Sequence, residues 1–246
     1  RFHLMLMERR GKDEHWLEWL AASFRSNKPW NTMVLEMLSP DFLREDLQGA
    51  GFFLTKRLEK YGQNPTDFPG LTRDVGRMFM GIDLQCAECH KHPFDQWTQN
   101  DFADFSNFFD SPMLKTGPKR RSSSSASTDK KELSLLRSHR VTIKDNDPRK
   151  PIMDWLKQKD NPWFARSFVN RVWAGYFNVG IVEPTDEFTP SNPPSNPGLL
   201  NWLAHGFVDN GYDMKWLHRQ IVSSETYQRS WRPNKTCLIY TSDAAD

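Results

Sequence analysis

Residues 85–94 read Gln-Cys-Ala-Glu-Cys-His-Lys-His-Pro-Phe and contain the spacing C-x-x-C-H. This spacing is typical of the attachment of a c-type haem. Cys86 and Cys89 lie about one turn apart, so both thiols can add to the vinyl groups of one haem. His90 follows directly and is placed to give the iron an axial imidazole. The motif therefore predicts covalent haem held by Cys86, Cys89 and His90.

Other interpretations of the motif stay open. One is a compact non-haem zinc or iron site, with carboxylates in support, made from these side chains: Cys86, Cys89, His90, His92, Glu88 and Asp95. Another is a structural or thiol-redox role, although no βαβ pattern of a thioredoxin-like fold surrounds the motif. His92 is too close to His90 along the chain to reach the opposite face of the same haem. We expect His92 to orient the loop through a hydrogen bond or a contact with Asp95.

The ligand opposite His90 would come from elsewhere in the chain and would help to set the redox potential. Methionine and histidine are the side chains that suit this position. The candidates are Met78, Met80, Met113 and His139. The methionines of the first helices are expected to fill the core instead.

Length and composition restrict the class of protein. A chain of 246 residues can form one large or two modest domains, and its 10 Trp and 17 Phe predict an aromatic-rich core. No run approaches the roughly 18 apolar residues of a membrane span, so none is expected in this fragment. The three cysteines, two of them in one motif, argue against a disulfide scaffold. There is no recognisable catalytic triad, phosphate-binding glycine loop or dinucleotide fingerprint.

Positive charge is concentrated in the segment between the two halves of the chain. Residues 115–150 carry eleven Lys and Arg against four Asp and Glu, and four consecutive serines occupy 122–125. A nucleic-acid site would have aromatic residues between the basic ones, and this segment has none, so no nucleic-acid partner is expected. We interpret residues 113–146 as a flexible, basic, serine-rich linker, with a possible short strand at 141–143.

Helical periodicity dominates the first half. Asp13 predicts the cap of one helix, and Pro29 separates that helix from the next. Apolar residues between 71 and 82 recur at helical spacing and predict a helix that leads to the motif. Glycines at 76 and 81 weaken this helix and would permit the close approach of a macrocycle or another helix.

Two further features of the first half follow the motif. Thr98 and Asp101 predict a capping box. The helix they open carries an aromatic face, which is more typical of an ordinary core than of a haem wall: Phe102, Phe105, Phe108 and Phe109.

The second half has repeated helix starts. Asp147-Pro148, Asn161-Pro162 and Asn196-Pro197 each place a capping side chain before a proline in the first turn, and Asp213 predicts a fourth start. Residues 183–194 are too rich in proline and acidic residues to be regular. A solvated turn is the favoured interpretation, and the alternative is that three of their side chains line a pocket: Asp186, Glu187 and Asn192.

These patterns predict a mainly α-helical protein with two helical units, residues 1–112 and 147–246, joined by the linker. At this point the sequence resembles known families. Residues 81–97, which include the C-x-x-C-H motif, resemble the signature of the planctomycete cytochrome-like domain, domain of unknown function 1549. Residues 161–173, 180–184, 191–197 and 226–228 look like its usual C-terminal companion, domain of unknown function 1553. The resemblance covers most of residues 14–110 and 147–230.

The resemblance implies an exported bacterial protein, periplasmic or otherwise outside the cytoplasm, in which a cytochrome c domain commonly precedes this pair. Haem is inferred in that family from the same motif, and its biochemical activity is not established. We expect the sequence to be a fragment that starts inside the first domain and stops early in the second, with any export signal upstream of Arg1. After Asn234 it no longer resembles the family, so Cys237 carries no argument.

We therefore expect a c-type haem-binding, cytochrome-like module for electron transfer, working with a redox partner or an upstream cytochrome c domain of the same protein. The alternatives are a non-haem zinc or iron domain of an uncharacterised enzyme, and a cell-surface interaction module with structural cysteines.

Overall fold

The protein is mainly α-helical, as predicted. The computed structural model describes residues 2–8, 11, 13–41, 44–58, 67–109, 131–136, 139–143 and 149–229. The helices of the first half are α1 (Phe2–Met7), α2 (Glu14–Arg25), α3 (Trp30–Leu38), α4 (Phe52–Arg57), α5 (Phe68–Val75) and α6 (Gln99–Ser106). A 3-10 helix precedes α4 (Glu45–Gly51), a π-helical turn extends α5 (Gly76–Met80), and a 3-10 turn holds the motif (Cys86–Glu88).

The second half contains α7 (Arg149–Leu156), α8 (Phe164–Phe177), α9 (Pro197–Asp209), α10 (Met214–Val222) and the short α11 (Glu225–Gln228). No helix in the described part of the chain is long and apolar enough to cross a bilayer.

Most predicted helix starts are confirmed by their capping bonds. The Asp13 carboxylate accepts from Trp16 N at 3.1 Å, and Thr98 and Asp101 form a complete capping box. Asn196 and Asp213 cap α9 and α10 in the same way.

Of the other two predicted starts, one differs from the pattern and one is not tested. Asn161 accepts from the N–H groups of Trp163 and Phe164, and α8 begins at Phe164, later than predicted. Asp147-Pro148 lies outside the described residues.

The helix that leads to the motif ends earlier than its periodicity predicts. It widens into the π turn at Gly76 and stops at Gly81, which is left-handed with φ of 67°. A Cβ at Gly81 would lie 2.6 Å from Cδ2 of Phe188, and the Phe188 N–H donates to the Gly81 carbonyl at 2.8 Å. Glycine is needed here for both its backbone and its small size. The group that comes close to Gly81 is therefore the Phe188 ring of the second half of the chain, and not the macrocycle or helix considered from the sequence.

One aromatic-rich hydrophobic core serves both halves. The Trp30 ring of α3 stacks on the Phe168 ring of α8 with centroids 4.2 Å apart, and Phe168 stacks on Phe207 of α9 at 5.3 Å. Trp30 N–H also donates to the Tyr212 carbonyl at 3.1 Å. The two helical units thus pack against each other around α8.

A β-hairpin lies inside the segment interpreted as a linker. Strands β1 (Lys131–Leu135) and β2 (His139–Ile143) pair antiparallel, with Leu133 opposite Val141. The strand at 141–143 was predicted, and β1 was not. Leu135 and Leu136 are each 1% exposed, and β1 packs against α6, so burial of two leucines holds the hairpin on the first half.

Candidate functional site

The C-x-x-C-H motif forms a short turn at the surface. Cys89 N–H donates to the Cys86 carbonyl at 3.3 Å, and His90 N–H donates to the same oxygen at 3.2 Å. Residues three apart are eclipsed in a 3-10 turn, so Cys86 and Cys89 lie on the same side. Both are free thiols; Cys86 is half-buried and Cys89 is exposed. The turn thus presents two thiols together, as covalent haem attachment requires.

The opposite side of the turn is fixed to the fold. Leu84 and Ala87 are fully buried, and the Glu88 carboxylate forms an ion pair with Arg73 of α5. The turn also packs against α6. A buried alanine and an ion pair therefore hold the backbone of the turn, in which Cys89 is exposed and Cys86 is half-buried.

His90 is exposed, and its hydrogen bond fixes which nitrogen is available. Its Nδ1 lies 2.8 Å from the carbonyl oxygen of Lys91. A carbonyl oxygen can only accept, so Nδ1 carries the proton. The neutral ring then has an unprotonated Nε2, which is the form that binds iron.

His92 has the opposite arrangement. Its Nδ1 accepts the N–H of Phe94 at 3.2 Å, so the neutral ring carries its proton on Nε2. This is the loop-orienting hydrogen bond expected for His92, whereas Asp95 accepts from the N–H of Gln96. Within the described ranges, no three His, Cys, Asp or Glu side chains converge as a ready metal site.

The candidates for the sixth ligand lie in different surroundings. Met78 is 4% exposed, and its Sδ accepts from Nη2 of Arg57 at 3.1 Å. Met80 is fully buried. Met113 lies outside the described residues, and so does the side chain of His139 in β2.

The aromatic face of α6 belongs to the hydrophobic core. Phe105 and Phe109 meet edge to face with centroids 5.4 Å apart, and all four phenylalanines are at most 5% exposed. They are Phe102, Phe105, Phe108 and Phe109.

Comparison with protein families supports the resemblance found in the sequence. Residues 5–113 match the family model PSCyt2, a protein of unknown function (DUF1549), and residues 148–244 match PSD1, a protein of unknown function (DUF1553). The expectation that the resemblance ends at Asn234 was wrong, because the PSD1 match continues to residue 244. The chain is a PSCyt2 segment followed by a PSD1 segment. The C-x-x-C-H turn lies in the PSCyt2 segment. No curated protein and no solved structure matches the chain.

The PSD1 segment contributes to three described cavities. One of about 510 Å³ is lined by Trp173, Glu183 and Asn192 among others, and one of about 360 Å³ by Trp163, Arg166 and Phe188 among others. Asn192 thus lines a pocket, which was the alternative to the favoured solvated turn. The third cavity, of about 590 Å³, lies between the first turns of the PSCyt2 segment and α8.

A network of charges joins the two segments and was missed by sequence reasoning. Arg57 has a fully buried side chain, and its Nε donates to Asp74 at 3.0 Å. Arg77 contacts Asp74 at 3.3 Å and Asp186 at 3.4 Å. Asp186 also forms an ion pair with Arg171 of α8. Asp186, a candidate to line a pocket, thus links an arginine from each segment.

A signal for part of this network was present in the sequence. Asp74 lies between Leu71 and Val75, on the apolar side of α5, and all three are buried. A carboxylate within such a stripe predicts a buried cationic partner. The identity of that partner, Arg57 on another helix, follows only from the tertiary fold.

Proposed function

We propose that the PSCyt2 segment is a c-type haem-binding module that supports electron transfer. In this proposal Cys86 and Cys89 form thioethers with one haem, and His90 Nε2 is the axial ligand of its iron. The single observation that carries the proposal is the turn itself: two free thiols on one side, followed by an exposed imidazole with its Nδ1 proton committed to a carbonyl.

The residues around the motif fit such a group. In the proposal the haem lies against the exposed Cys89 and the half-buried Cys86, which no disulfide occupies. The N–H···O=C bond from His90 to Lys91 orients the imidazole and makes Nε2 a better electron donor. The bound haem would supply reversible one-electron chemistry, and the chain would fix its position and its axial ligand.

Among the candidates for the sixth ligand, Met78 already has a hydrogen-bond partner. Its sulfur is engaged by the buried guanidinium of Arg57. Turning that sulfur towards an iron would break this contact, although Nη2 of Arg57 would keep the Leu6 carbonyl as an acceptor. Met80 makes no such contact in the described part of the chain, and Met113 and the side chain of His139 lie outside it.

A non-haem zinc or iron site is the alternative use of these side chains. It would need His92 or a carboxylate to join the two thiols and His90. His92 would first have to release the Phe94 N–H from Nδ1, or lose the proton from Nε2. This requirement favours haem, which uses only Cys86, Cys89 and His90.

We further propose that the chain works outside the cytoplasm, with a redox partner or an upstream cytochrome c domain. The family resemblance supports this location. Expression in bacteria with a c-haem maturation system, with and without a fused export signal, tests both proposals together. We expect only the chain with the export signal to gain the mass of one haem and to give a positive pyridine haemochrome assay; the chain without it should stay unmodified.

Matched variants assign the roles of the motif. Cys86→Ser with Cys89→Ser should give a folded, colourless chain of unmodified mass. His90→Ala should abolish or alter the haem spectrum, whereas His92→Ala should retain the wild-type spectrum. A wild-type chain of unmodified mass after maturation overturns the haem proposal. Stoichiometric zinc without a Soret band would support the alternative.

A further inference from the structure

The cavity of about 590 Å³ has apolar walls and one charged side chain. Phe2 and Met5 of α1 and Val172 of α8 contribute apolar surface, and Thr185 contributes a hydroxyl. Arg171 of α8 is the charged residue that lines it. Its volume lies within the roughly 300–1,000 Å³ typical of small-molecule sites.

The Arg171 guanidinium has unused hydrogen-bonding capacity. Its polar contacts in the described part of the chain, to the Asp186 carboxylate and to the Arg77 carbonyl at 2.8 Å, both use Nη2. Nε is buried without a partner, and Nη1 makes no hydrogen bond within the described ranges. A guanidinium can bind a planar carboxylate through paired N–H groups.

The charge of Arg171 is also less well compensated than that of its neighbour Arg77. Burial lowers the pKa of Arg171 below its usual value, and the attraction of Asp186 does not restore it. Burial acts in the same direction at Arg77, but the combined attraction of Glu8, Asp74 and Asp186 raises its pKa overall. An added anion would therefore be stabilised more at Arg171, the one of the two that lines the cavity.

The remaining polar wall adds no competing charge. The hydroxyl of Tyr176 and Nδ1 of His218 lie 2.7 Å apart, and burial lowers the pKa of His218. His218 is consequently neutral at pH 7. The lining thus combines one cation with neutral and apolar groups.

We infer that this cavity binds a small carboxylate with an apolar body, such as an aromatic or branched aliphatic acid. Arg171 Nη1 donates to the carboxylate, and the apolar body lies against Phe2, Met5 and Val172. The site belongs to both segments and is independent of the haem proposal, because none of its residues belongs to the C-x-x-C-H turn.

Calorimetry on the 246-residue chain tests the charge requirement without any substitution. The probe is 2-naphthoate, and the matched neutral ligand is 2-naphthamide, which has the same rings and no charge. We expect one naphthoate per chain, with the amide binding at least tenfold more weakly. Equal binding of the two, or no naphthoate binding at millimolar concentration, overturns the inference.

A cavity-filling substitution tests the position of the site. Gly175 lines the cavity, and a Cβ there meets nothing within 4 Å. Long side chains on a helix lean over the preceding turn, so leucine at this position would cover the surface of Arg171 and Val172. We expect Gly175→Leu to lower naphthoate affinity at least tenfold while the melting temperature is kept.

The control is Gly198→Leu. Gly198 is an exposed glycine of α9 that does not line the cavity, and a Cβ there would meet Oδ1 of Asn196 at 3.6 Å, an ordinary contact distance. It should bind naphthoate like the wild type. Wild-type affinity in a folded Gly175→Leu chain would place the ligand elsewhere and overturn the inference.

Discussion

The Trp30 indole stacks on the Phe168 ring at 4.2 Å, although the two residues belong to different family segments. Both side chains are nearly fully buried, and Phe168 continues the stack to Phe207. The PSCyt2 and PSD1 segments thus bury part of their apolar surface against each other. Elements that share a core are expected to unfold together.

Trp30→Ala should destabilise the whole described fold. Truncation of a buried Trp typically lowers the free energy of unfolding by about 3–5 kcal/mol. We expect one denaturant transition, seen equally by circular dichroism and fluorescence, shifted to lower concentration. Trp202, which is 59% exposed, is the matched control, and Trp202→Ala should change stability by less than about 1 kcal/mol. Two separate transitions, with only one moved by Trp30→Ala, would contradict a shared core.

Asp74→Ala should be strongly destabilising because it removes the carboxylate to which the buried Arg57 Nε donates. Loss of one partner of a buried ion pair typically costs about 3–5 kcal/mol. A double-mutant cycle with Arg57→Met should give a loss smaller than the sum of the single losses. The exposed pair Arg44–Asp46 provides the control, and Arg44→Ala should leave the unfolding midpoint nearly unchanged. Additive losses in the cycle would argue against coupling.

Gly81→Ala should cost more than Gly211→Ala, although the two glycines have nearly the same φ, 67° and 66°. Each substitution incurs the left-handed backbone cost of roughly 1–2 kcal/mol. Only at Gly81 does the new Cβ meet a ring, Phe188, whereas Gly211 has nothing within 4 Å. The difference between the two variants in urea unfolding measures this contact. Equal losses would show that the Phe188 ring moves aside freely.

Stability should fall as pH drops below 6.5, in part because of His218. Burial lowers its pKa in the folded state, so the unfolded chain takes up a proton more readily. The loss of stability begins near 6.5, the ordinary pKa of histidine, and continues down to the lowered pKa of the folded state, below which it is constant. Urea unfolding of wild type and His218→Gln at pH 7.5, 6.5 and 5.5 should show a smaller pH dependence in the variant. Identical pH dependence would exclude His218 as a contributor.

Short-range features were predictable from the sequence because both partners lie within one turn. The Asp13, Thr98, Asn196 and Asp213 caps each involve residues three apart, and a side-chain type at a known offset is enough to predict them. The alternation that places leucines at 133 and 135 was also visible, but the basic residues around it favoured a linker.

Long-range features were not predictable because sequence spacing does not identify partners on other elements. The Arg77–Asp186 contact joins residues 109 positions apart, and the meeting of Gly81 with Phe188 joins the two segments. For the candidate site, the motif predicted the identity of the thiols and the imidazole. The tautomers of His90 and His92 and the unused donors of Arg171 required the folded structure.

The shared orientation of Cys86 and Cys89 has a consequence for maturation. Two neighbouring thiols that face solvent can also close into a disulfide, especially in an oxidising compartment. Under the haem proposal, oxidation and thioether formation would therefore compete for the same sulfur atoms. An exported chain would need a reductant before its prosthetic group arrives, and the order of these two events decides whether the polypeptide matures or is trapped.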